Sequence, residues 1–223
     1  CVGAVNLDGG TFAMGRNIVK TGAAASATFN FNGGLLRAGL SSTTYLQGLN
    51  RANVRNGGAL IDTNGFNITV GQALLHSDNG LDNATDGGLT KSGVGILTLT
   101  GASGYTGPTV VSDGTLQLNG SAATGTLTTP AMTVGATGKL GFTAASASTL
   151  DLSGKDMTLG GGTIAFDIGD AGVNDAITVN NFTLSANSTF TFTSIGAVGG
   201  SYTLVTSSNP ITNAGPYTIT GQT

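Results

Sequence analysis

The chain has 223 residues, a formal net charge of −3 and only 9% charged residues, while glycine occupies 38 positions. The chain has no glutamate and only eight cations, among them Lys20, Lys91, Lys139 and Lys155, which are too few to solvate the outer faces of helices. Recurrent Val, Ile, Thr and Phe argue against disorder. The small negative charge excludes nucleic-acid binding through clustered cations, and no apolar run reaches the roughly 18 residues of a membrane span.

The chain opens on Cys1, its only cysteine, so an internal disulfide and a cysteine-rich metal site are excluded. Three interpretations of this position stay open. Cys1 is the lipid-bearing first residue of a processed lipoprotein, a thiol that cross-links to a neighbour, or simply the point where this segment starts.

A repeat of about 24 residues runs through the sequence. Two series of glycines have this spacing, Gly10, Gly34 and Gly58, and later Gly114, Gly138 and Gly162. An alternation of polar and apolar residues follows these glycines, at residues 11–14, 35–38, 115–118, 139–142 and 163–166, and recurs at 187–192. Because a period of two is the signature of a strand, we interpret all these segments as one strand family.

A second strand family alternates around a central threonine, at residues 68–70, 132–134, 157–159, 177–179 and 182–184. Two strands and glycine-rich corners, with room for a third strand, fit one coil of a solenoid. The sequence therefore predicts an all-β, right-handed parallel β-helix (β-solenoid) that forms one domain over residues 1–223, with about 24 residues per coil and roughly 8–9 coils. A β-sandwich or jelly roll is the alternative, but neither demands a constant spacing.

Two segments depart from the repeat. Tyr45, Leu46, Leu49 and Val54 have near-helical spacing, which predicts one short helix over residues 42–54. The step from Gly58 to Gly114 is longer than two repeats, and we interpret it as two coils plus an insertion.

The densest acidic segment, residues 78–87, contains Asp78, Asp82 and Asp86. Carboxylate oxygens at close spacing are ligands that calcium prefers, so these three aspartates are weak candidates for a calcium site. The segment lacks a bidentate glutamate and the standard loop spacing, and a solvated loop between coils is the competing interpretation. No other cofactor is expected.

Catalysis finds little support. His76 is the only histidine, and no serine has the context of a nucleophile elbow, so we expect a structural histidine at a turn. Asp167 and Asp170 have the residue type for a glycosidase pair, but aspartates beside glycine and asparagine usually cap turns. We expect a protein that is not an enzyme.

The stretch GGLTKSGVGILTLTG at residues 87–101, followed by YTG at 105–107 and GTLQL at 114–118, closely resembles the passenger-associated, or autotransporter-associated, β-strand repeat. Residues 57–65 and 202–206 are similar to sequence that accompanies this repeat. The resemblance implies a right-handed β-helix that is secreted across a Gram-negative envelope and acts as a stalk, adhesin or exported scaffold. It implies no catalytic residues. The closing residues 216–223 do not resemble the family's translocator, which implies that it was removed or that secretion takes another route.

Neither end of the sequence shows a capping segment. Residues 1–60 carry five cations and Asp8, a net +4, whereas residues 61–223 carry three cations and ten aspartates, a net −7. Opposite charges at opposite ends favour head-to-tail contact. We therefore expect an extracellular subunit that joins its own copies into a fibre. A stalk segment of an autotransporter-type adhesin is the second hypothesis, and a β-helix that binds or cleaves polysaccharide is the third.

Overall fold

The computed structural model describes residues 2–23, 26–119, 129–142, 147–169, 174–196 and 201–221. Over these residues every regular element is a β-strand, and the named strands pair in parallel. The strands stack as a β-solenoid of about eight turns with about 25 residues per turn. The predicted all-β parallel solenoid is confirmed, and its turns are slightly longer than the repeat predicted.

Each turn contributes strands to three faces. The first face contains β1 (Val2–Leu7), β4 (Ser26–Phe31), β7 (Arg51–Val54) and β10 (Leu74–His76), and this place in the later turns is taken by the first parts of β15 (Thr149–Leu159) and β17 (Ala176–Leu184) and by β19 (Val205–Ser207).

The second face begins with β2 (Thr11–Met14), β5 (Leu35–Ala38), β8 (Ala59–Asp62) and β11 (Leu89–Ser92). It continues through the first parts of β13 (Thr109–Leu118) and β14 (Ala131–Phe142), the second parts of β15 and β17, and β20 (Thr212–Asn213).

The third face contains β3 (Ile18–Val19), β6 (Ser42–Gln47), β9 (Ile68–Val70), β12 (Ile96–Leu99), the second parts of β13 and β14, β16 (Thr163–Ile168), β18 (Thr189–Ser194) and β21 (Thr218–Gly221).

Inward side chains of successive turns lie directly above one another. Leu97 pairs with Leu116, Leu116 with Leu140, and Leu140 with Ile164, and all four side chains are fully buried. The alternation at residues 115–118, 139–142 and 163–166 predicts Leu116, Leu140 and Ile164 as inward residues of one column, and this prediction is confirmed. Since a slip of one residue would turn the whole column into water, burial of this set holds the register. The buried apolar side chains form one cluster from Leu7 to Leu184.

The two glycine series, interpreted above as one strand family, belong to different faces. Gly10 and Gly58 precede strands of the second face, whereas Gly114 and Gly138 precede strand segments of the third. The second strand family is likewise divided among the three faces. The prediction that each set of strands forms a single family was wrong. Glycine is favoured at every corner of the coil, so the spacing of glycines does not identify the corner at which each one lies.

The long step between Gly58 and Gly114 also has a structural explanation. Ala59 pairs with Leu89 on the next turn, and Leu89 pairs with Thr109 on the turn after it. The first of these two turns is longer than the average turn, because it carries the loop that follows His76, and the second is shorter than the average. The predicted insertion is present in the first coil, but Ala59 to Thr109 is 50 residues, the length of two average turns. The remaining excess of the step arises because Gly58 precedes a strand of the second face and Gly114 a segment of the third.

The predicted helix over residues 42–54 does not form. Residues 42–47 are β6 and residues 51–54 are β7, joined by a corner at Gly48, whose φ is +70°. Tyr45 and Leu46 belong to the third face and Ala52 and Val54 to the first, and all four side chains are buried in the core. The apparent helical spacing arose because two strands on either side of one corner both face the core. In the described part of the chain, no helix is long and apolar enough to cross a membrane.

Candidate functional site

The last turn ends in a surface of unpaired strand edges. Strands β20 and β21 are exposed along their full length, and Ile211, Tyr217 and Ile219 expose about half or more of their surface. Beneath them lies an open hollow of about 430 Å³ lined chiefly by apolar side chains, Phe182, Leu184, Phe190, Phe192, Leu204, Val205, Ile211, Asn213, Tyr217 and Ile219. We call this the C-terminal end surface. Its lining includes side chains of the hydrophobic core that no further turn covers among the described residues.

The first turn presents a matching surface at the other end. Strand β1 is exposed except at Leu7, and Val2 and Val5 are 86% and 40% exposed. A smaller hollow of about 240 Å³ is lined by residues that include Val5, Ile18 and Phe29. We call this the N-terminal end surface. Strands within this protein pair in parallel from turn to turn, so the upper edge of one copy has the geometry to continue the lower edge of another.

Charge is distributed differently from the sequence-based expectation. Residues 176–223 contain no Asp, Glu, Lys or Arg, so the negative charge of the second half lies between Asp62 and Asp175. The C-terminal end surface is therefore uncharged and not acidic. Natural edge strands usually carry lysine or another charge that discourages pairing, and this edge has none. The C-terminal end surface therefore offers no charge to an oppositely charged partner surface, and its exposed side chains are mainly apolar.

The three calcium candidates do not share a ligand set. Both carboxylate oxygens of Asp82 accept from the Arg55 guanidinium, at 2.8 and 3.1 Å, and Asp78 lies 3.5 Å from Arg51. Asp86 accepts from His76 and from backbone amides. No group of three metal-ligating side chains occurs in the part of the chain that the structure describes.

The His76 side chain connects two consecutive turns through hydrogen bonds. Its Nδ1 lies 2.9 Å from Asp86 Oδ2 and 3.1 Å from Thr106 Oγ1. Burial by itself raises the pKa of Asp86, but hydrogen bonds from the Thr106, Gly88 and Gly107 amides and from His76 outweigh it, so that the pKa lies below its ordinary value. The ion pair with Arg55 likewise holds the pKa of Asp82 down. Both carboxylates close the loop of the long turn.

Lys91 lies in the core, although lysine side chains are almost never fully buried unless they are paired. It occupies an inward position between Ile61 and Val111 and is fully buried. Its ammonium donates to Thr63 Oγ1 at 3.0 Å and to the carbonyls of Ser92, Gly93 and Asp113, and so joins three consecutive turns. Burial lowers the pKa of Lys91 to about 8, which leaves the group charged at neutral pH.

A signal for this position was present in the sequence. Lys91 is two residues from Leu89, and residues two apart on a strand point to the same side. The alternation therefore placed the lysine inside, and only its charge argued for the surface.

Of the predicted carboxylate pair, Asp170 lies outside the described residues, and so does Cys1, for which three interpretations were open. Asp167 is near Asp175 instead. Both are buried, and the Asp167 amide donates to Asp175 Oδ2 at 2.7 Å. Burial raises the pKa of Asp175 to about 6 and raises that of Asp167 as well.

In the comparison with family models, the passenger-associated-transport-repeat matches residues 89–118. The comparisons with curated proteins and with solved structures find no match. The matched residues run from β11 to the end of β13 and include Lys91. Within its β-solenoid, the chain thus contains an autotransporter-associated repeat of the passenger type.

Proposed function

We propose that this chain is an extracellular structural protein, exported by a Gram-negative bacterium, whose copies join end to end into a surface fibre. The observation that carries the proposal is the pair of end surfaces, each with unpaired strand edges and exposed apolar side chains. The passenger-associated repeat supports export, and a passenger-type domain is surface-exposed or secreted. No catalytic role is part of the proposal.

The junction would reuse the contact between turns. The parallel edge of β19–β21 in one copy would accept β1–β3 of the next at the usual strand spacing of about 4.8 Å. Inward residues of the two edges, such as Val205 and Val5, would then extend the apolar columns. Since the two end surfaces differ, the contact is heterologous and does not close, which produces a filament.

Sedimentation velocity and negative-stain microscopy test the proposal, under reducing conditions so that Cys1 cannot form a disulfide. We expect filaments one chain wide that lengthen with concentration. Ile219→Lys should weaken association roughly tenfold or more, the effect of about 1.4 kcal/mol, because it adds charge to an apolar edge. Leu81→Lys is the matched control, since Leu81 is 87% exposed in the loop after His76, away from both ends.

A mixing experiment tests the polarity of the contact. Val5→Lys should block the other end, and an equimolar mixture with Ile219→Lys should stop at dimers, because each chain retains one open end. Monodisperse short rods at every concentration would contradict the fibre.

That outcome would favour the second hypothesis, a stalk segment in which flanking coils cover both end surfaces. The passenger-associated repeat supports this alternative equally well. The two differ in what covers the ends, a second copy or more of the same polypeptide.

A further inference from the structure

A groove crosses the outside of the third face, and its lining shares no residue with either end surface. It measures about 280 Å³, and its lining includes Thr115, Gln117, Lys139, Gly141, Ala165 and Asp167. We call it the third-face groove. It crosses successive rungs at right angles to the strands, so a ligand in it would lie along the solenoid axis.

The groove exists because two outward positions carry almost no side chain. Gln117, Gly141, Ala165 and Thr191 lie above one another in register on four rungs. A Cβ built on Gly141 would meet only the Ala165 Cβ, at 3.9 Å, so the space above the glycine is open. Gln117 and Thr191 are larger neighbours on either side of the floor.

Lys139 and Asp167 stand on opposite sides of this floor. Lys139 is two residues before Gly141 on one rung, and Asp167 is two residues after Ala165 on the next. Because alternate residues of a strand face the same side, both project outward with the floor between them. The groove thus offers one cation and one anion, together with hydroxyl and amide groups from Thr115, Gln117 and Thr193.

Asp167 has an unused hydrogen-bonding atom. The residue is only 7% exposed, and its Oδ2 is buried with no hydrogen-bond partner from the described residues. Neighbouring Asp175 differs, because its oxygens accept from the Ser148 and Asp167 amides at 3.0 and 2.7 Å. A buried oxygen without a partner is costly, and a bound water or ligand is one way to satisfy it. Burial also raises the pKa of Asp167, opposed by the charge of Lys139.

We propose that the third-face groove binds a neutral oligosaccharide, with one sugar hydroxyl donating to the Asp167 carboxylate and another accepting from Lys139. A neutral ligand fits because the two charges offset each other. A peptide strand does not fit, since the backbone groups of these rungs are already paired on both sides. A single free carboxylate facing an ammonium is a poor cation site. Because both oxygens of Asp175 are occupied, the proposal is binding and not cleavage.

The test is ¹H–¹⁵N NMR titration of the association-blocked Ile219→Lys chain with neutral gluco-, galacto-, manno- and N-acetylglucosamine tetrasaccharides. We expect at least one to bind at roughly millimolar affinity, with shifts at residues 115–117, 139–141 and 165–167. Asp167→Ala should weaken that binding roughly tenfold without loss of thermal stability, because it also removes an unpaired buried oxygen.

Gly141→Gln should abolish binding by filling the floor. Thr98→Gln is the matched control, since Thr98 lies in the same column two rungs away and outside the groove. Unchanged affinity in Gly141→Gln, no binding by any of the four sugars, or shifts produced only by tetragalacturonate or calcium would each overturn the proposal. Equal thermal stability of the two glutamine variants separates loss of binding from loss of folding.

Discussion

The middle turns, residues 57–118, and the last turns, residues 147–221, share one architecture but are held together by different means. The middle turns enclose polar groups: Lys91 donates to three turns, and His76 and Asp86 close the loop of the long turn. The last turns rely mainly on apolar contact, with Phe166 stacked at 6.4 Å from Phe190 and 6.3 Å from Phe192. Their buried carboxylates, Asp167 and Asp175, lie close together, and no charged residue follows Asp175.

The two regions should therefore be sensitive to different substitutions. A buried polar network specifies one arrangement and is strongly destabilised by the loss of a single member. Apolar stacking tolerates substitution better and also leaves the edge open to further strands. Since stability in a solenoid is approximately a sum over neighbouring turns, the two regions should respond separately to mutation and pH.

Lys91→Met should have the largest effect. It removes the ammonium that joins the carbonyls of Ser92, Gly93 and Asp113, and leaves Thr63 as the remaining donor to the first two. We expect a loss of about 3 kcal/mol in the free energy of unfolding, because the turns lose a charged hydrogen-bonding group inside the core. Urea unfolding followed by circular dichroism measures it. Lys20→Met is the control and should change the value by no more than about 0.5 kcal/mol. Equal stability of the two variants would mean that the buried ammonium does not hold the middle turns.

Substitution of Gly88 and Gly154 by alanine compares how closely neighbouring turns pack in the two regions, because both glycines have nearly the same φ. Gly88 and Gly154 have φ of +71° and +74°, but a Cβ on Gly88 would collide with the Pro108 carbonyl oxygen, whereas Gly154 has nothing within 4 Å. Gly88→Ala should therefore cost about 2 to 3 kcal/mol and Gly154→Ala about 1 kcal/mol. Thermal melts would show the contrast, and equal losses would argue that turns contact each other no more closely in the middle.

The response to pH should have opposite signs in the two regions. Burial raises the pKa of Asp175 from 3.8 to about 6, so its favourable contribution is complete below pH 3.8 and is lost as the pH rises through about 6. The pKa values of Asp82 and Asp86 are lowered, so their contributions are present above pH 3.8 and are lost as the pH falls.

Hydrogen exchange at pH 4.5 and 7.5, corrected for intrinsic rates, resolves the two regions in one sample. Amides of residues 147–184 should lose about 2 kcal/mol of protection at the higher pH, while those of residues 74–118 should stay constant. A parallel loss in both regions would contradict the assignment to Asp175.

Much of the fold could be predicted because its signals are local. Alternation in residues 115–118 and 139–142 identified inward Leu116 and Leu140, and the structure places both in one buried column. The helix over residues 42–54 was wrong because two strands around the corner at Gly48 mimic helical spacing. The candidate site was predicted less well, since exposure of the end surfaces depends on which turn covers which.

A parallel solenoid with a period of about 24 residues follows from local sequence, because period-two alternation and glycine corners are properties of neighbouring residues. The face on which each strand lies depends on contacts between turns, since a long turn and a short turn follow one another between Ala59 and Thr109 and no local signal measures them. The tertiary structure also brought Lys91 to three turns and set Lys139 opposite Asp167. These contacts join residues a full turn apart, and their partners depend on the length of chain between them.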